Sequence, residues 1–231
     1  TIATLCFCFA SAKKRRSWSG PDDFYLRDSP IGLRTEGSLF RAAGKLYLWG
    51  GDDGTAYHND MFRFDPDTSE WAQVETIDDV VPPARKDLAF TSNDTHLFIY
   101  GGITLTGNDL GDLWTFEIQN LRWTNLTQNV NSDQWPGPRS EATMIFFNNS
   151  IYFFGGATPD TTLMGDLWRF DLRTLAFQLI DAPGAPSPRS QFGFAAAAAA
   201  LYLFSGYTGD DSNDLYRFDP RAGVWEYLTN L

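Results

Sequence analysis

Residues 96–123 read HLFIYGGITLTGNDLGDLWTFEIQNLRW, and this stretch decides the fold. A strand-like run, Leu97–Tyr100, ends on Gly101-Gly102, and the alternating segment Asp112–Phe116 follows after a loop and precedes Trp123. The same order of features occurs in three further places. The first position of the glycine pair falls at residues 50, 101, 155 and 205, so the repeat length is 50 to 54 residues. A fixed period of this size indicates an array of similar structural units.

The repeated residues are a glycine pair, an aromatic residue near the end of the unit, and an arginine sixteen residues before the first glycine position. The glycines are Gly50, Gly51, Gly101, Gly102, Gly155, Gly156 and Gly206. The aromatic residues include Trp71, Trp123 and Trp225, and the arginines are Arg34, Arg85, Arg139 and Arg189. Glycine permits positive φ and close backbone approach. We expect all of these residues to serve the scaffold, because every copy needs them.

Each copy contains four short strand signals, which we call a, b, c and d in chain order. Four antiparallel strands per repeat are typical of a propeller blade. The sequence therefore predicts an all-β fold with four complete blades, at residues 31–76, 77–128, 129–181 and 182–231. We expect Ala195–Ala200 to form the a–b hairpin of the fourth blade despite the helix propensity of alanine, because the flanking apolar residues fall at strand positions of the other copies.

Residues 1–30 allow two interpretations. Trp18 lies sixteen residues before Arg34, so Leu5–Phe9 and Trp18 can be the c and d strands of a partial preceding blade. The apolar run that ends in Ala10-x-Ala12 also resembles the core of a signal peptide. The partial blade favours a fragment of a larger ring.

The net charge of −11 argues against a nucleic-acid surface. Hydrophobic residues make up 43% of the chain and aromatic residues 16%, which is ample for a packed core. The sequence has no apolar run long enough to span a membrane. The compartment stays open: a cytoplasmic location is favoured, but Asn-x-Ser/Thr sequons at Asn93, Asn125 and Asn148 are compatible with secretion.

The glycine pairs, the tryptophans of the d strands and an aromatic residue in each c strand together resemble the kelch-repeat proteins over residues 32–231. The c-strand aromatic residues are Phe62, Trp114, Trp168 and Tyr216. The departures from the pattern are Phe177 in place of tryptophan, Ser205 in place of glycine, and the alanine run. The resemblance implies a kelch-type β-propeller that acts as an interaction platform, whereas a minority of such propellers are enzymes.

The enzyme types that the resemblance raises need residues in arrangements that this chain does not show: its two histidines fall in a b–c loop and at the start of a b strand, and its two cysteines precede the four complete blades. A copper oxidase of the galactose oxidase type needs two histidines and a cysteine cross-linked to a tyrosine, and the iron site of kelch nitrile-specifying proteins needs Glu, Asp and His at four-residue spacing. The chain has His58 and His96, its cysteines are Cys6 and Cys8, and glycines precede His58 at that spacing. We therefore predict no catalytic residue, no metal ligand and no cofactor.

In an up-and-down blade the b–c and d–a connections lie on one face, which we call the long-loop face. Binding residues favour loops on a rigid scaffold. The predicted b–c loops are Asp52–Asn59, Ile103–Gly111, Ala157–Gly165 and Tyr207–Asn213. The predicted partner contacts are Asp52, Asp53, Tyr57, His58, Lys86, Asp109, Trp135, Asp160, Tyr207, Asp210 and Asp211. One interpretation of this face is a cationic inner ring of arginines inside an acidic outer rim.

We expect a non-catalytic scaffold that binds a protein or peptide partner and no nucleic acid. One alternative is a secreted or cell-surface propeller that binds a glycan or a small ligand. The other is part of a kelch-type enzyme whose catalytic residues lie outside this sequence. The oligomeric state stays open.

Overall fold

The structure is a computed structural model that describes residues 30–77, 79–130 and 134–230. Its strands form four antiparallel sheets of four strands each, and the strands of every sheet follow one another in chain order. This confirms the predicted all-β architecture of four-stranded blades, which we number 1 to 4. The proposed strands Leu5–Phe9 and Trp18, and the signal-peptide interpretation, lie outside the described residues.

Short strands joined by turns build each blade. Blade 1 contains β1 (Ser38–Ala42), β2 (Lys45–Asp52), β3 (Tyr57–Asp65) and β4 (Glu70–Gln73). Blade 2 contains β5 (Ala89–Ser92), β6 (His96–Tyr100), β7 (Leu113–Glu117) and β8 (Arg122–Asn125), and a short 3₁₀ helix, Thr127–Asn129, follows it. Blade 3 contains β9 (Thr143–Phe147), β10 (Ser150–Phe154), β11 (Leu167–Asp171) and β12 (Ala176–Ile180). Blade 4 contains β13 (Gly193–Ala197), β14 (Ala200–Tyr207), β15 (Asp211–Asp219) and β16 (Val224–Asn230).

The first strands of successive blades lie side by side, with β1 next to β5, β5 next to β9 and β9 next to β13. These strands therefore line the axis around which the blades are arranged. The fourth strands form the outer edges of the sheets. Hydrogen bonds between side chains and backbone also join the inner strands of neighbouring blades. The Ser92 hydroxyl donates to the Arg41 carbonyl at 3.1 Å, and the Phe146 amide donates to the Thr91 hydroxyl at 2.9 Å.

An aromatic contact repeats at each interface between described blades. Its first member is the last residue before the glycine position of one blade, and its second member is the d-strand aromatic residue of the next. The ring centroids are 5.8 Å apart for Trp49–Trp123, 6.4 Å for Tyr100–Phe177 and 5.6 Å for Phe154–Trp225. Burial of such rings removes a large apolar area from water. The d-strand aromatic residues therefore lie as wedges between successive blades.

The alanine run forms the expected hairpin, in which Ala197 pairs with Ala200. The two turn residues, Ala198 and Ala199, have φ values of 45° and 67°. Their neighbours are strand residues of a sheet that is stacked on blade 3. Tertiary packing therefore overrides the helix propensity of alanine, as predicted.

The b and c strands of blades 1 and 4 are longer than the sequence predicts. After a bulge, Gly51 pairs with His58 in blade 1 and Gly206 pairs with Ser212 in blade 4. Backbone hydrogen bonding, which does not depend on the side chains, extends these strands past the glycine position. The predicted loops Asp52–Asn59 and Tyr207–Asn213 are thus wrong in extent, and residues 53–56 and 208–210 make the connections.

Candidate functional site

The long-loop face is built from the connections at one end of the four sheets. In an antiparallel meander, every second connection lies at the same end of the sheet. The b–c connections are residues 53–56, 101–112, 155–166 and 208–210, and the described parts of the connections between blades fall within 74–88, 126–142 and 181–192.

An arginine supports this face in every blade, and three of the four, Arg85, Arg139 and Arg189, are buried. The Arg85 guanidinium donates a hydrogen bond to the Gly101 carbonyl at 3.0 Å. It also donates to both carboxylate oxygens of Asp112, at 2.5 and 2.9 Å. The side chain of Arg85 is 0% exposed. The same arrangement joins Arg34 to Asp60, Arg139 to Asp166, and Arg189 to Asp214. Bidentate pairs of this kind are strong and fix geometry.

In two of these pairs, the arginine lowers the pKa of the aspartate, Asp112 or Asp214. The hydrogen bond from Arg189 is the main cause that lowers the pKa of Asp214 below its ordinary value. Burial opposes ionisation of Asp112, but the hydrogen bond and charge of Arg85 outweigh it and lower the pKa of Asp112 as well. Each guanidinium is therefore neutralised inside its own blade. These contacts are not compatible with the interpretation of the arginines as a cationic inner ring.

The glycine pair lets the backbone of the next blade approach. Gly101 has φ of 66°, and a Cβ atom there would lie 2.3 Å from the Arg139 carbonyl oxygen. That carbonyl accepts a hydrogen bond of 2.9 Å from the Gly102 amide. Gly156 makes the same bond to the Arg189 carbonyl. The close contact between blades thus depends on the missing side chain.

Five of the predicted partner contacts come together where blades 1 and 2 meet. The Lys86 ammonium lies 3.8 Å from an Asp52 carboxylate oxygen and 5.4 Å from the centre of the Tyr57 ring. Beside them, His58 Nε2 lies 2.9 Å from Asp53 Oδ2. We call Asp52, Asp53, Tyr57, His58 and Lys86 the Lys86 cluster.

Hydrogen bonds within the b–c connection of blade 1 orient the Asp53 carboxylate. The Thr55 hydroxyl and amide and the Ala56 amide all donate to it at 2.7–2.8 Å. The bonds from Thr55, followed by those from Ala56 and His58, lower the pKa of Asp53 below its ordinary value. The exposed tip of this connection therefore carries a fixed negative charge.

The other six predicted partner contacts are spread over blades 2 to 4. Trp135 is 43% exposed and lies against Gly111, where a Cβ atom would be 2.5 Å from its ring. Tyr207 is 46% exposed at the tip of β14. The remaining carboxylates of this set are Asp109, Asp160, Asp210 and Asp211. These six residues do not join the Lys86 cluster, and their contact with a partner stays a prediction.

Four residues that sequence reasoning missed lie at the axis end of this face. The second residue after each arginine is Glu36, Asp87, Glu141 or Gln191, and all four have φ between 53° and 57°. We call Glu36, Asp87 and Glu141 the carboxylate row, and Gln191 occupies the neutral fourth position. Alignment of the copies on the arginine would have shown that this position carries an acid or its amide each time.

Hydrogen bonds connect the positions of the row from blade to blade. The Glu141 amide donates to the Asp87 carbonyl at 2.7 Å, and the Gln191 amide donates to the Glu141 carbonyl at 3.4 Å. The Gln191 side-chain amide also donates to the Glu141 carboxylate at 2.6 Å. Burial, and then the negative charge of Glu36, raise the pKa of Asp87 to about 6.

Among the residues that the structure describes, no three His, Cys, Asp or Glu side chains are grouped so that they could hold a metal ion. In the same part of the chain, no helix has the length and apolar character needed to cross a membrane.

Comparison with known proteins gives one family match over most of the chain. The family model described as the KLHDC2/KLHL20/DRC7 Kelch-repeats domain matches residues 38–230. The chain is similar to human Kelch domain-containing protein 10, with 24% identity over 194 residues that cover 81% of this chain and 43% of that protein.

Two Drosophila melanogaster proteins are also similar in sequence to this chain. The Leucine-zipper-like transcriptional regulator 1 homolog is 26% identical over 196 residues, which cover 80% of this chain and 19% of that protein. Host cell factor is 29% identical over 209 residues, which cover 75% of this chain and 14% of that protein. The chain thus spans less than half the length of each of these three relatives.

Proposed function

Because the chain belongs to the kelch-repeat family, we propose that it is a non-catalytic scaffold that presents the long-loop face of its propeller to a protein or peptide partner. Kelch-repeat domains typically bind protein partners and are typically not enzymes. The fold supports only this general role. The place where a partner binds has to be inferred from the side chains that each face of the propeller exposes.

The observation that carries the proposal is where the exposed apolar side chains lie. Two large apolar side chains that are exposed outside the strands, Leu105 and Trp135, lie in connections of the long-loop face. Ile77 is exposed as well, but its amide donates to the Leu121 carbonyl in the c–d turn of blade 2 at 3.0 Å, so it lies towards the opposite face. Exposed apolar groups rimmed by polar residues mark interaction sites. The described a–b and c–d turns themselves contain no large apolar side chain that is exposed.

Charged groups lie on the same face. The carboxylate row lies at the axis end of the face, and the Lys86 cluster lies beside it between blades 1 and 2. Interfaces typically combine buried aromatic or apolar anchors with a polar rim. Trp135 is suited to the role of an anchor, because its ring is held against Gly111 and loses little freedom on binding.

Matched variants of the full chain test the proposal. L105R and Y207R place an arginine on the long-loop face, whereas N120R and A222R place the same residue in exposed c–d turns on the opposite face. Proteins that the wild type retains from a cell extract are identified and quantified for each variant by mass spectrometry. We expect a specific set of partners to be lost, by about tenfold or more, from L105R and Y207R but not from N120R and A222R.

All four variants should keep the melting temperature of the wild type, because each changed side chain is exposed. Retention of every specific partner by L105R and Y207R would contradict the proposal. The reverse pattern, with loss only in N120R and A222R, would place the interface on the opposite face.

A further inference from the structure

We propose that the carboxylate row is a pH-responsive element of the propeller, which takes up a proton on mild acidification and thereby strengthens the contacts between blades 1, 2 and 3. This inference adds regulation to the scaffold and does not depend on which face binds a partner.

Its basis is that one acidic residue from each of three successive blades is held at the same place near the axis. Asp87 is half-buried, and its carbonyl accepts the Glu141 amide of the next blade at 2.7 Å. On the other side, the ammonium of Lys86, which precedes Asp87 in the chain, lies 3.5 Å from the Glu36 carboxylate of blade 1. Like charges held close together in a partly buried place disfavour the ionised form.

The charged side chains around Asp87 carry more negative than positive charge. Glu36 and Asp52 face it from blade 1, Lys86 from its own blade, and Glu141 from blade 3. Lys86 is the single cation among these neighbours, and it lies 3.5 Å from Glu36 and 3.8 Å from Asp52. The positive charge of Lys86 therefore faces three carboxylates, and Glu141 adds a fourth negative charge beside Asp87, so a proton would relieve part of the remaining repulsion.

The direction of the effect follows from the pKa of Asp87, which burial and then the charge of Glu36 raise to about 6. The folded protein binds this proton more tightly than the unfolded chain, whose aspartates have a pKa of about 4. The free energy of unfolding therefore rises as the pH falls from about 7 towards 4, and the gain is lost as the pH rises through about 6.

The fourth position of the row shows how a neutral residue behaves at this place. Gln191 donates its side-chain amide to the Glu141 carboxylate at 2.6 Å, where a glutamate would add another negative charge. The chain thus offers both changes that a test needs: an acid that can be made neutral, and a neutral residue that can be made acidic.

The test is the melting temperature of the full chain between about pH 4.5 and 7.5 for the wild type, D87N, Q191E and D94N. D87N should melt at a higher temperature than the wild type at the upper end of this range, and the difference should vanish at the lower end. Q191E should melt at a lower temperature at the upper end and recover on acidification. D94N removes an exposed acid in the β5–β6 turn and should follow the wild type throughout.

The other titratable groups are the same in all variants, so the differences between them isolate the row. A constant offset between D87N and the wild type at every pH would overturn the proposal. A second measurement on the wild-type chain avoids any effect that the D87N substitution has on packing. The carboxyl carbon of Asp87 in the wild-type chain, followed by NMR, should titrate with a midpoint near 6; a midpoint near the ordinary value of about 4 would also overturn the proposal.

Discussion

The repeated arginine holds two blades at once. In blade 3 the Arg139 guanidinium binds Asp166 and the Gly155 carbonyl, while its own carbonyl accepts the Gly102 amide of blade 2. The side chain fixes the loops of one blade and the backbone fixes the distance to the blade before it. This double role gives a physical reason for an arginine at the same place in every copy.

The glycine opposite that carbonyl gives a prediction at the residue scale. G101A should lower the free energy of unfolding by about 3 kcal/mol, because its Cβ atom would overlap the Arg139 carbonyl and alanine disfavours positive φ. G50A is the matched control, since a Cβ atom there would lie 3.8 Å from the corresponding Arg85 carbonyl. It should cost less, about 1–2 kcal/mol, from the positive φ and from a 3.2 Å approach to the His58 carbonyl oxygen that Gly101 matches with the Leu110 carbonyl oxygen.

Urea denaturation of both variants measures the difference. Equal losses would show that backbone conformation, rather than the approach of the next blade, explains the glycine. Ser205 illustrates the same distinction, because it occupies the first glycine position of blade 4 with φ of 67°. Its hydroxyl donates to the Ser212 carbonyl at 2.9 Å, and no described blade follows it.

At the scale of the element, the a–b turns of blades 3 and 4 have the same backbone conformation with different side chains. Asn148 and Asn149 have φ of 48° and 57°, close to the values of Ala198 and Ala199. Asparagine and glycine tolerate this conformation better than alanine does. Blade 4 therefore carries strain that blade 3 largely avoids.

The double variant A198N/A199G should raise the free energy of unfolding by about 1 kcal/mol, because it supplies the residues that this turn favours. Its mirror, N148A/N149A, should lower it by a similar amount. Thermal melting of both variants checks the prediction. A destabilised A198N/A199G variant would mean that the alanines make contacts that the turn conformation does not explain.

The positions of the strands could be predicted from the sequence, but some of their lengths could not. The hairpins, the wedge aromatic residues and the glycine pairs were predictable, because each depends on a residue type that recurs in register. The extended ribbon of blade 1, in which Asp52 pairs with Tyr57, was not, because backbone hydrogen bonds place few demands on the side chains. The carboxylate row was missed for a different reason: a repeat in sequence does not say which side chains of different blades meet.

At the scale of the whole molecule, the stack of blades depends on the wedge between each pair. Trp123 is 3% exposed beneath Trp49, whereas Trp71, at the start of the described stack, is partly exposed. W123A should therefore cost about 3–5 kcal/mol, and W71A roughly half as much. Equilibrium unfolding in denaturant compares the two variants. A larger loss for W71A would contradict the assignment of Trp123 as a wedge.

The long-loop face depends on single residues, on the lengths of strands and on the stacking of blades. Arginine–aspartate pairs hold its loops, the extended strands of blades 1 and 4 shorten two of its connections, and the stacking of blades brings the Lys86 cluster and the carboxylate row next to each other. The Lys86 cluster could be predicted only as separate residues, since its members come from two blades.

We propose above all that the long-loop face is the surface that binds a partner. Hydrogen-exchange mass spectrometry tests it most directly, on the full chain alone and in complex with a partner that the wild type retains. We expect slower exchange on binding in residues 101–112 and in the described part of 126–142, where Leu105 and Trp135 lie. Exchange in the turns 93–95, 118–121 and 148–149 of the opposite face should be unchanged. Protection confined to those turns would contradict the claim.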